Sequence, residues 1–218
     1  MTKALIFIIC IVIFSSEAFA ESEENEKLML DAMKSKDLAL FKTLLSNGVN
    51  PNLPTEGSRY RTTSLCESTK PGNEAYFSLI VNEGVSLEHK SDLTDSRGSP
   101  LLCSIHYGNF PIYKEILSLG IDVNAVQNLR SKGSVLERRP LSFALRSNRA
   151  AFAWDIIQRI EINETQKSRI IRFVNGNSGI EGNPNQIYRE KIIQWSIEQG
   201  FEVNPQPPAP RSLYERKK

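Results

Sequence analysis

Histidine and cysteine are scarce in this 218-residue chain, which holds His89, His106 and three cysteines. Neither histidine has a partner at metal-ligand spacing and H-E-x-x-H is absent, so the sequence carries no zinc signature. G-x-S-x-G, G-x-x-x-x-G-K-[ST] and G-x-G-x-x-G are missing as well, which removes the common signatures of hydrolases and nucleotide-binding enzymes. Gly176, Gly179 and Gly182 make a permissive stretch, but no lysine follows to meet a phosphate, and a flexible loop between helices is expected there. His106 is expected to pack or cap a helix end, and His89 to lie in a surface connection. No catalytic set, metal or cofactor is therefore expected, and the chain reads as a non-enzyme. A charge excess is lacking too: the formal net charge is +2, which favours neither nucleic acid nor a strongly charged membrane surface.

Long apolar runs are absent except at the start, MTKALIFIICIVIFSSEAFA. Lys3 precedes an apolar run from Ala4 to Phe14, and Ala18-Phe19-Ala20 has the small-x-small form that a signal peptidase cuts. The run is shorter than the roughly 20 residues that span a bilayer. Cys10 lacks the preceding small residues of a lipid-attachment site. Residues 1–20 are thus expected to be a signal peptide, with a mature chain from Glu21 that is periplasmic and has no stable membrane insertion. The expected domain occupies 21–204. A Pro-rich, basic tail at 205–218 (PQPPAPRSLYERKK) is expected to be extended or disordered.

Between these ends the sequence repeats itself. "LLSNGVN" at 44–50 has near-copies in "IVNEGVS" at 80–86, "ILSLGID" at 116–122 and "SIEQGFE" at 196–202. Gly48, Gly84 and Gly120 are 36 residues apart; Arg159 takes the glycine slot 39 residues on, and Gly200 follows after 41. Regular spacing of this kind marks stacked supersecondary units, and glycine suits a left-handed residue just past a helix. At Arg159 either a steric penalty is borne or the turn differs. Apolar residues at helical spacing precede each slot: Leu38, Phe41, Leu44 and Leu45 in the first, and Ile192, Ile193, Trp195 and Ile197 in the last. Shorter helices open at "TSLCES" (63–68), "SPLLCSI" (99–105) and "RPLSFAL" (139–145). In these openings Thr63 and Ser99 suit an N-cap. Pro100 and Pro140 suit the first helical position, and Leu65, Leu101 and Leu141 suit the core.

These openings resemble the T-P-L-H-x-A motif of ankyrin repeats, and "GIDVNA" at 120–125, "GFEVN" at 200–204 and "GVNPN" at 48–52 resemble that family's closing motif. The resemblance implies an all-α solenoid of four to five divergent helix-turn-helix repeats joined by long connecting fingers, over roughly residues 25–204. The motif histidine is replaced by Cys66, Leu102 and Ser142, so the family's inter-repeat histidine bonds are not expected. The spacing exceeds the family's period of about 33 residues, so the fingers carry insertions. After residue 160, "ETQKSRIIRFVNGNSGIEGNPNQ" suggests an irregular pair.

Cys66 and Cys103 are the only thiols of the mature chain, and they fall on first helices one register position apart. A disulfide needs Cα atoms about 5–6 Å apart, while packed helix axes lie about 8–10 Å apart. Facing side chains could close that gap; two separate buried thiols fit the spacing equally. Asn163-Glu164-Thr165 matches a glycosylation sequon, which has no meaning in a bacterial protein. Binding residues are sought in the polar fingers 51–62 and 123–139: Arg59, Tyr60, Arg61, Arg130, Lys132, Arg138 and Arg139, with Tyr60 and Arg130 foremost. These charges could equally serve only to solubilise the insertions.

The ankyrin resemblance implies a protein-binding module whose partner is another protein and not nucleic acid. Among exported bacterial proteins it is similar to periplasmic ankyrin-type immunity proteins. Those bind and neutralise cognate secreted toxins, such as phospholipase effectors of type VI secretion. A periplasmic scaffold supporting a resident envelope enzyme such as a catalase is the alternative, and an effector delivered into host cells a third.

Overall fold

The computed structural model describes residues 24–53, 55, 62–88, 98–131, 134–176 and 183–207. The expected signal peptide, Arg59, Tyr60, Arg61, His89, Lys132, Gly179, Gly182 and the tail from residue 208 lie outside them. The described residues are mostly helical. The chain divides into two compact units, Met1–Cys103 and Ser104–Lys218.

The first unit contains α1 (24–34), α2 (Leu38–Ser46), α3 (Ser64–Ser68), α4 (Glu74–Asn82) and the start of α5 (Pro100–Tyr107). Short polar side chains set the helix starts. Asp37 Oδ1 accepts from Leu40 N at 2.9 Å, Thr63 Oγ1 from Cys66 N at 3.0 Å, and Ser99 Oγ from Leu102 N at 3.4 Å. Helix α2 packs on α4, and α3 on α4. Phe41, Leu65, Phe77, Ile80, Leu101 and Leu102 are at most 1% exposed, and Phe41 meets Tyr76 edge-to-face at 4.9 Å. Leu38 departs from expectation. It stands 40% exposed at the first position of α2, where helical spacing alone suggested core.

The Cys66 and Cys103 sulfurs are bonded, with Cα atoms 5.5 Å apart. Both cysteines are buried, so the bond ties α3 to α5 from inside.

The second unit contains the end of α5, α6 (Phe110–Ser118), a hairpin of β1 (Gln127–Ser131) and β2 (Ser134–Arg138), α7 (Pro140–Arg146), α8 (Ala150–Ile157), α9 (Glu164–Gly176) and α10 (Pro184–Glu198). The strands pair antiparallel, Gln127 opposite Arg138 and Ser131 opposite Ser134. The finger expected at 123–139 is therefore built partly of strand, which an all-α reading does not foresee. Helix α7 packs against α8 and α9, and α10 against α8 and α9. Tyr113, Leu141, Ile156, Ile170 and Ile192 are essentially inaccessible; Ile197, by contrast, is 53% exposed although the spacing suggested core. Where the sequence suggests an irregular pair after residue 160, the described residues form two regular helices, α9 and α10; residues 177–182 lie outside the described residues. Asn163 Oδ1 accepts from Gln166 N at 2.9 Å and Gln166 Oε1 from Asn163 N at 3.0 Å, a reciprocal cap that starts the 13-residue α9.

Gly48, Gly84, Gly120 and Gly200 all have positive φ, as their slot requires. Arg159 does not: its turn differs, and Arg159 Nε instead donates to Asp155 Oδ2 at 2.7 Å. A second left-handed series, hidden in the sequence, follows the first helix of each pair at Lys36, Gly72, Gly108 and Asn148. Glycine at 108 has a further reason, since a Cβ there would lie 2.7 Å from Arg149 Nη1. That guanidinium donates to His106 O at 2.7 Å and so caps the end of α5.

Asp155 anchors a part-buried network between α6 and α8. It accepts from the Tyr113 hydroxyl at 3.0 Å, Lys114 Nζ at 2.8 Å and Arg159 Nε at 2.7 Å. Burial pushes the carboxyl up, but the hydrogen bonds from Arg159, Lys114 and Tyr113 outweigh it and hold Asp155 below the usual carboxylate range. Asp155→Ala leaves the buried Tyr113 hydroxyl without its acceptor, and urea unfolding at neutral pH should show a loss of about 2 kcal/mol. The folded-state pKa lies below the unfolded one. The stabilisation is therefore fully present above about pH 4 and is lost as pH falls through the folded value. The gap between wild type and variant should narrow there; a gap constant with pH would contradict this account.

Candidate functional site

Two helical stripes in the second unit face one cavity. Pro140 starts α7 with its ring at a position that needs no N–H donor, and Arg139, Ser142, Phe143 and Arg146 fall at i, i+3, i+4 and i+7 along one side. On α9, Arg169, Arg172, Phe173 and Gly176 repeat the same spacing. All eight line a cavity of about 660 Å³, together with Glu137 and Arg138 at the end of β2. Phe143 and Phe173, each 7% exposed, give it an apolar floor.

Among the described residues that line it the charge is one-sided: five arginines and one acid, Glu137. Arg139 Nε takes that acid at 2.9 Å. The guanidinium carbons of Arg138 and Arg146 lie 5.5 and 5.8 Å from the Phe143 ring centroid, the arrangement of cation–π contacts. Among the described residues no carboxylate pairs with Arg146, Arg169 or Arg172. Ser142 Oγ is buried without a hydrogen-bond partner. A cavity of about 410 Å³ in the first unit differs, because two of its three lysines are engaged, Lys34 with Asp31 at 2.7 Å and Lys36 with Asn73 at 2.8 Å, and it has no arginine among its described lining residues. The arginine groove is the stronger binding candidate. A row of guanidiniums over aromatic carbon can hold carboxylates or phosphates by paired hydrogen bonds.

Of the residues expected to bind a partner, Arg138 and Arg139 come together here. Arg130 sits on β1 opposite Val135 in the strand pairing. Arg59, Tyr60, Arg61 and Lys132 lie outside the described residues. Arg146, Phe143, Arg169 and Arg172 went unforeseen. The available signal was the i, i+3 pair of arginines in "SRIIRF" at 168–173. Among the described residues no group of three His, Cys, Asp or Glu could hold a metal ion, and no helix is long and apolar enough to cross a membrane. No family model matches the sequence, and no characterised protein matches it significantly.

Proposed function

We propose that the helix pairs stack as ankyrin-like repeats and that the chain is a periplasmic protein-binding module, an immunity protein that grips and neutralises a secreted toxin. The arginine groove carries the reading, since exposed arginines over aromatic carbon are the usual anchors of protein interfaces and suit an acidic partner. Support for stacking comes from the two left-handed series and from the packing of α2 on α4, α7 on α9 and α8 on α10. The buried Cys66–Cys103 bond suits an oxidising compartment. Affinity capture from the envelope fraction of the host, read by mass spectrometry, tests the proposal. A stoichiometric toxin-like enzyme, released when Arg138, Arg169 and Arg172 are replaced by alanine, is the expected result. Recovery of a resident envelope enzyme instead would make the chain a scaffold.

A further inference from the structure

We infer that the groove between α7 and α9 is a preformed site for one compact, multiply charged oxyanion. The inference rests on the groove being the working surface proposed above, and not on which protein the chain meets.

Three features separate this groove from a merely solubilising surface, which would intersperse both signs of charge. Its arginines stand on two helical stripes and the end of β2 around one cavity; Arg139 holds Glu137, the one acid among the described lining residues, and Arg146, Arg169 and Arg172 pair with no carboxylate among the described residues. Two guanidiniums rest against Phe143, which restricts their planes before any ligand arrives. The Ser142 hydroxyl, buried beside the same cavity, has no hydrogen-bond partner among the described residues. A volume of about 660 Å³ suits a small ligand. A monovalent anion would leave most of the mutual repulsion among the guanidiniums in place. A pyrophosphate-like group or a polycarboxylate offsets several charges at once, with oxygens placed for bidentate guanidinium bonds.

Titration calorimetry on protein purified from cells expressing the full chain, at fixed ionic strength, tests this with pyrophosphate and citrate as separate probes. One saturable site per chain is expected. Arg169→Gln with Arg172→Gln should weaken it about tenfold or more, the equivalent of one lost hydrogen bond to a charged group. Both arginines are exposed, so the variant's helical circular dichroism should match wild type. Lys27→Gln with Lys42→Gln, which removes the same charge from exposed positions elsewhere, should leave the affinity unchanged. Preference for pyrophosphate would identify a phosphate ligand, and preference for citrate a carboxylate one. No saturable uptake of either, or equal weakening by both double variants, overturns the inference. A chain that ignores both anions yet captures a partner through Arg169 and Arg172 defeats this inference alone. One that binds an anion and captures nothing defeats only the proposed partner.

Discussion

Loss of the Cys66–Cys103 bond is expected to lower the unfolding free energy by about 4 kcal/mol, because the bond closes a loop across a separation of 37 residues in the unfolded chain. Cys66→Ala with Cys103→Ala, compared with wild type by urea unfolding, gives the number. A thiol reductant should act slowly on the native protein and quickly once it unfolds, since Cys66 and Cys103 are 1% and 0% exposed. Equal midpoints for wild type and the double variant would mean that the bond contributes nothing in solution.

The second large effect lies in the other unit. Leu141 is 1% exposed on α7, at the position matching Leu65 and Leu101 in the earlier openings. Leu141→Ala removes three buried carbons and leaves a cavity, and should cost about 2–5 kcal/mol. Leu38→Ala, at a 40% exposed position, should change stability by less than about 0.5 kcal/mol. A near-zero effect at Leu141 would displace the register of α7, and with it the stripe that carries Phe143 and Arg146 to the groove.

What could be read from the sequence is what local chemistry decides. Thr63, Ser99, Pro100 and Pro140 fix helix starts within one turn, and the glycine slots fix helix ends, so the helix pairs were legible. Tertiary position was less so. Spacing alone treats Leu38 like Phe41 and Ile197 like Ile192, but exposure depends on where neighbouring helices stop. The inner turns were hidden because Lys36, Gly72, Gly108 and Asn148 share a backbone conformation and not a residue type. Lys36 is held there by its own ammonium, which reaches Asn73 Oδ1 at 2.8 Å. The hairpin was masked by a polar, arginine-rich finger with weak alternation. The groove was half legible: Arg138 and Arg139 stood out as a basic cluster, whereas Arg169 and Arg172 joined them only because α9 packs on α7. Sequence spacing carries no record of that approach.

The links from one helix pair to the next also bear on the order of events in folding. Asn52 to Ser86, Lys36 to Asn73, Tyr113 to Asp155 and Arg149 to His106 span 34, 37, 42 and 43 residues. Each of these links joins one helix pair to its neighbour, which suits assembly that grows from pair to pair. The Cys66–Cys103 bond lies wholly within Met1–Cys103, so it constrains that unit, while Ser104–Lys218, the unit bearing the arginine groove, has no cysteine and depends on packing alone.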